Sequence, residues 1–147
     1  MAALAIVAAV AASIVVSNPA DAVPVPWKNC GTPGNPIQVQ QFDAAVWPPQ
    51  RGMPETVRYS FAVARDIDVG FDQLTVSPPP PDRVKFPVKG FLAPFLAHKF
   101  NVGPHSETVS FNVPSSIPPG TVFSVHLSIF DRGGTLAFCL DLSIPVK

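Results

Sequence analysis

The chain has 147 residues, with ten Lys and Arg against ten Asp and Glu and a formal net charge of zero. Charges that balance and are spread through the chain leave no electrostatic footprint for nucleic acid, so DNA and RNA are excluded as partners. Its 19 prolines exclude long helices, because each removes a backbone donor and clashes with the preceding turn.

Met1 to Val16 carries no charge, and Ala20-Asp21-Ala22 then offers the small-x-small pattern of a signal-peptidase site. Residues 1–22 therefore read as a cleaved secretory leader. The other reading, an uncleaved anchor, is disfavoured because about 16 apolar residues fall short of the roughly 20 that span a bilayer. Residues 23–147 are expected to form one domain with one core. Its location would be extracellular or the lumen of the secretory pathway, lysosome or vacuole included.

Cys30 and Cys139 lie near the two ends of this mature chain. In an exported protein such a pair is expected to be bridged rather than left as two free thiols. Closing so long a loop restricts the unfolded chain by roughly 4 to 5 kcal/mol on the chain-entropy argument. A zinc site would need further Cys or His at short spacing, and there is none.

Between the cysteines the patterning is period-2, broken by Pro and Gly, the mark of many short strands. Ile37 to Val46 reads as a strand with a phase slip, and hence a bulge, near Gln41. In Thr56 to Ala64, Val57, Tyr59, Phe61 and Val63 fall on one face and Arg58 and Ser60 on the other. Ile67 to Val76 follows, carrying Phe71. Pro78 to Pro81 reads as a stiff polyproline connection, and Arg83 to Val88, with Phe86, as a further strand. Glu107 to Val113 carries Phe111. Phe123, Val125, Leu127 and Ile129 alternate with Ser124, His126 and Ser128. After the Asp131-Arg132-Gly133-Gly134 turn, Leu136, Phe138, Leu140, Leu142 and Ile144 alternate with Cys139, Asp141 and Ser143, which makes a hairpin. Seven strands in so short a chain predict an all-β fold, a two-sheet sandwich.

One segment breaks the pattern. From Gly90 to His105, Phe91, Leu92, Phe95, Leu96 and Phe100 crowd into what the turn residues mark as a long loop. Loops are ordinarily polar and superficial, so this one either plugs the end of the sandwich as a short buried helix or forms an apolar cavity mouth that touches a ligand or a membrane. Lys85, Lys89, His98 and Lys99 flank it and are placed to meet an anionic headgroup or to serve as solubilising charges.

Catalytic patterns are missing from the sequence. There is no G-x-S-x-G elbow and no phosphate-cradling glycine motif. His98, His105 and His126 have no metal-ligand spacing, and Asp66 and Asp68 beside Arg65 read as a solvated turn. No catalytic residue, metal or cofactor is expected, and the chain is not read as an enzyme. Eleven Phe against one Tyr and two Trp fill apolar volume without asking for hydrogen-bond partners.

The two ends of the mature chain bear a resemblance. Trp27-Lys28-Asn29-Cys30-Gly31 resembles the opening of the ganglioside GM2 activator and, more loosely, of the Niemann-Pick type C2 sterol carriers. Pro119-Gly120-Thr121-Val122-Phe123, the Asp131 to Gly134 turn and Leu136 to Ile144 are similar to the closing hairpin of the same group, the MD-2-related lipid-recognition (ML) family. The resemblance implies an immunoglobulin-like β-sandwich with an internal apolar cavity holding one sterol, phospholipid or glycolipid, and a Cys30–Cys139 disulfide. The central disulfides usual in that family have no counterpart here. With the faces read above, the expected cavity lining is Val57, Tyr59 and Phe61, then Phe71 and Phe86, then Phe91, Leu92, Phe95, Leu96 and Phe100, and finally Phe111, Phe123, Val125, Leu127 and Phe138. Lipid binding and transfer is the function this implies, with a ligand-free adhesion or interaction module as the alternative. The partner would be a lipid, with transient membrane contact through Phe91–Phe100; no enzyme or receptor partner is indicated.

Overall fold

A computed structural model describes residues 22–79 and 88–147. Among these, two antiparallel sheets face one another as an immunoglobulin-like sandwich. The first sheet is built from β1 (Val23–Pro24), β3 (Ile37–Ala44), β4 (Pro54–Val63) and β7 (Gly103–Asn112), in the order β1-β3-β4-β7. The second holds β2 (Trp27–Asn29), β9 (Leu136–Pro145), β8 (Val122–Asp131), β5 (Ile67–Ser77) and β6 (Lys99–Phe100), in the order β2-β9-β8-β5-β6. Between β5 and β6 lie α1 (Val88–Leu92) and a 3-10 turn, Ala93–Leu96. No helix among the described residues is long and apolar enough to cross a membrane.

The alternation in β4 becomes a burial pattern. Val57, Tyr59, Phe61 and Val63 are buried, and Thr56, Arg58, Ser60 and Ala62 between them are less so. On the facing sheet Phe123, Val125, Leu127 and Ile129 of β8 and Phe138, Leu140, Leu142 and Ile144 of β9 supply the opposite wall. This interdigitation of two inner faces is what stabilises a sandwich, each large apolar side chain contributing about 1.5–3 kcal/mol on burial.

The predicted slip in β3 is present: the β3–β4 register shifts between Val39 and Gln41, so that Ile37 before it and Phe42 and Ala44 after it are all buried. The predicted hairpin is also present. Asp131 Oδ1 accepts from the N–H of Gly133 at 3.0 Å and of Thr135 at 2.9 Å, and Gly134 takes the left-handed conformation, φ 78°, that a side chain resists. Arg65 closes the turn from β5's side, its Nη2 donating to Asp131 Oδ2 at 3.0 Å.

A second bulge was not foreseen. The β5–β8 register shifts between Val69 and Phe71, turning Phe71 to the outer face, where it stacks on Phe130 at 4.6 Å. Phe71 is 47% exposed and does not line the interior; an unbroken alternation from Ile67 had put it there. Gly70 makes the bulge possible, because a Cβ there would sit 2.7 Å from the Asp131 carbonyl oxygen.

The expected Arg83–Val88 strand, with Phe86 and Lys85, lies outside the described residues except for Val88, which opens α1 instead. The leader up to Asp21, and Pro80 and Pro81 of the polyproline connection, also lie outside them. Asp66 serves a turn as expected, its Oδ1 accepting from the Val102 N–H at 2.7 Å.

Candidate functional site

The apolar segment is a plug. Phe91, Leu92 and Phe95 are fully buried, Phe100 nearly so and Leu96 half-buried, so these side chains are turned inward and not presented to a membrane surface. The segment's polar neighbours Lys89, His98 and Lys99 are exposed around it. A helix of five residues does not hold itself together in water, and packing must do so. Phe91 packs on the first sheet, 4.9 Å from Phe111 and edge-on to Trp47 at 6.0 Å.

Phe95 reaches deeper. Its ring meets Tyr59 edge-on at 5.5 Å and Phe61 at 5.3 Å, both on β4, and stacks on Phe138 of β9 at 4.9 Å. One side chain from an irregular segment thus bridges the two sheets, in the space where the sequence reading had a guest. Of the expected lining, Val57, Tyr59, Phe61, Phe91, Leu92, Phe95, Phe100, Phe123, Val125, Leu127 and Phe138 share this buried interior, with Leu96 and Phe111 partly buried against it.

The interior holds one polar atom without a partner among the described residues, the Tyr59 hydroxyl. Tyr59 is 2% exposed, and burial pushes its phenol well above the ordinary tyrosine range, with the Glu107 carboxylate adding to the rise. Glu107 is the cross-strand partner of Tyr59, and His105 that of Phe61, whose ring it stacks on at 5.0 Å. Directly paired residues share a face. Glu107 and His105 therefore stand on the inward face of β7, the edge strand beside the plug, although Glu107 is exposed. The cavity lining expected from the sequence included neither, His105 having been weighed only as a metal ligand. The signal was the alternation of Glu107 with Val109 and Phe111.

A second polar group was missed. On the outer face of the β8–β9 hairpin, His126 Nδ1 lies 2.7 Å from Asp141 Oδ1, and Ser128 Oγ lies 3.1 Å from His126 Nε2. The order Ser-His-Asp is that of a hydrolase relay. Ser128, however, is 5% exposed and sits in mid-strand, paired to Gln73 on one side and Cys139 on the other. Its surroundings lack the exposed elbow that presents a nucleophile. The group instead abuts the disulfide: Cys30 and Cys139 are bonded, Ser128 Oγ lies 3.6 Å from Cys139 Sγ, and His126 Nδ1 lies 3.8 Å from Cys30 Sγ. With both sulfurs committed to that bond, neither is a thiolate, the form that ligates metals. Beside this group runs an open groove of about 560 Å³, lined by Trp27, Lys28, Thr75, Ser124, His126 and Asp141 among others.

The fold is shared with the crystal structure of a Niemann-Pick type C2 protein from Japanese carpenter ant. The two superpose with a TM-score of 0.51 at 13% sequence identity, over 83% of this chain and 99% of that one. No family model matches the sequence, and none of the curated proteins matches it. At this identity the likeness is one of fold, an immunoglobulin-like sandwich of the type found in that protein.

Proposed function

We propose that the protein is a secreted, single-domain lipid carrier that holds one lipid between its sheets and delivers it. The observation that carries this reading is Phe95. The space between the sheets is filled there by a ring on a short irregular segment, not by a strand residue. Withdrawing that segment opens an apolar site without breaking either sheet. The shared fold with a Niemann-Pick type C2 protein and the motifs at the two chain ends support the same reading.

The energetics are adequate. Each methylene moved from water into the site is worth about 0.8 kcal/mol, so an ordinary acyl chain offers on the order of 10 kcal/mol before the costs of binding and of displacing the plug. Phe91, Phe95 and Phe100 then serve as part of the wall or rim, and Lys89, His98 and Lys99 ring the way in. The site needs no catalytic group.

Displacement of a fluorescent sterol and a fluorescent fatty acid from the purified, disulfide-bonded protein tests the proposal. Saturable one-to-one binding is the expected result. Failure to bind sterol, phospholipid and glycolipid alike sinks it. The closed packing around Phe95 favours a second reading, a ligand-free interaction module, and that failure would leave it standing.

A further inference from the structure

We infer that the lipid carried in this interior bears a hydroxyl group, held between the Tyr59 hydroxyl and the Glu107 carboxylate, and that this pair selects a neutral alcohol over a fatty-acid anion. The inference rests on the carrier reading and adds the chemistry of the polar end.

Two independent observations meet at this place. Tyr59, on the central strand β4, points into the core with a hydroxyl that has no partner among the described residues. A buried donor left in that state is costly, and proteins retain such groups where something else satisfies them. Directly across the ladder stands Glu107, with its Cβ about 5 Å from that of Tyr59 by sheet geometry. Among the described residues Glu107 enters no ion pair, the only two being Arg65–Asp131 and His126–Asp141. Its strand position is on the inward face, at the exposed edge of an aromatic interior.

The two groups ask for the same partner. A carboxylate accepts only, and a phenol both donates and accepts. A guest hydroxyl donates to Glu107 and accepts from Tyr59, which satisfies both. A guest carboxylate would accept from Tyr59 but would set a second negative charge beside Glu107, the repulsive element from which selectivity is built. His105, on the same face, has its Nε2 2.7 Å from the Asn101 carbonyl oxygen and its ring flat on Phe61.

The test compares oleyl alcohol with oleic acid, which share one chain, in competition binding to the full disulfide-bonded protein and its Tyr59→Phe and Glu107→Gln variants. The wild type is expected to prefer the alcohol by about tenfold or more. Tyr59→Phe should weaken the alcohol by roughly five- to tenfold, and Glu107→Gln should let the acid gain until the preference narrows. Equal affinity for both chains, unmoved by either variant, overturns this inference and leaves the carrier reading intact. Binding of neither chain overturns this inference, and the sterol, phospholipid and glycolipid assay then decides the carrier reading. Tyr59→Phe keeps the ring and Glu107 is exposed, so both variants are expected to fold, and thermal unfolding confirms it.

Discussion

The ring of Phe95 stacks on that of Phe138 with centroids 4.9 Å apart and planes 18° from parallel, joining a short connecting segment to the inner face of the sheet opposite the one its other neighbours come from. Phe95 is completely buried. Phe95→Ala is therefore expected to cost about 3–5 kcal/mol, the transfer term plus the cavity left behind. On the carrier reading the same change frees room between the sheets, so a lipid probe should bind the variant at least as tightly as the wild type while the empty protein unfolds at lower denaturant. Chemical denaturation with and without probe measures both.

Tyr59 should behave in the opposite sense. Removing a buried hydroxyl that has no partner among the described residues relieves a desolvation penalty, so Tyr59→Phe is expected to stabilise the empty protein by about 1 kcal/mol. A stabilised empty protein with weakened binding of an alcohol is the pattern of a group kept for its ligand.

Two carboxyls give opposite dependences on pH. Burial pushes Glu55 up from its ordinary value, against the partial offset of backbone N–H donors at Val46, Thr56 and Ala45. The folded state then holds this proton more tightly than the unfolded chain, so its contribution to stability grows as pH falls through the interval just above the ordinary carboxylate range. Asp131 lies below its ordinary value because the N–H of Thr135, the Arg65 guanidinium and the N–H of Gly133 favour its charged form. Its contribution is complete above the ordinary value and is lost as pH falls through the lowered one. Denaturation midpoints measured against pH should show the first slope vanish in Glu55→Gln and the second in Asp131→Asn.

The bulge at Gly70 makes a local prediction. A methyl group there meets the Asp131 carbonyl oxygen at 2.7 Å and the Arg132 Cα at 3.0 Å, both backbone atoms that cannot swing aside. Gly70→Ala should cost about 1–3 kcal/mol. Phe71→Ser beside it, on the exposed outer face, should cost less than Phe123→Ala in the core, where about 3–5 kcal/mol is expected. A ranking the other way round would contradict the register of β5.

What was legible in the sequence had local causes. The β8–β9 hairpin could be read because strict alternation flanks an Asp-Arg-Gly-Gly turn, and the β3 bulge because Ile37 and Val39 fall out of phase with Phe42 and Ala44. The β5 bulge was hidden: Ile67, Val69 and Phe71 alternate without a break, and only contact with the distant Asp131 carbonyl requires Gly70. Strands β1, β2 and β6, two or three residues each, are too short for a period to show. For Gly90 to Phe100 the sequence raised the right question and left two answers, because whether a greasy segment turns inward depends on the room the two sheets leave. The Ser128–His126–Asp141 contact depends on the pairing of β8 with β9, and the inward position of Glu107 on its pairing with Tyr59.

On the carrier reading, the space now held by Phe95 takes the lipid. Isotope-filtered nuclear Overhauser contacts between an unlabelled long-chain alcohol and the labelled, disulfide-bonded protein test it most directly. The account predicts contacts from the chain to Phe61, Phe138 and Leu127, with the alcohol end at Tyr59. Contacts confined to Trp27, Lys28 and His126 in the outer groove, or none at all, would contradict it.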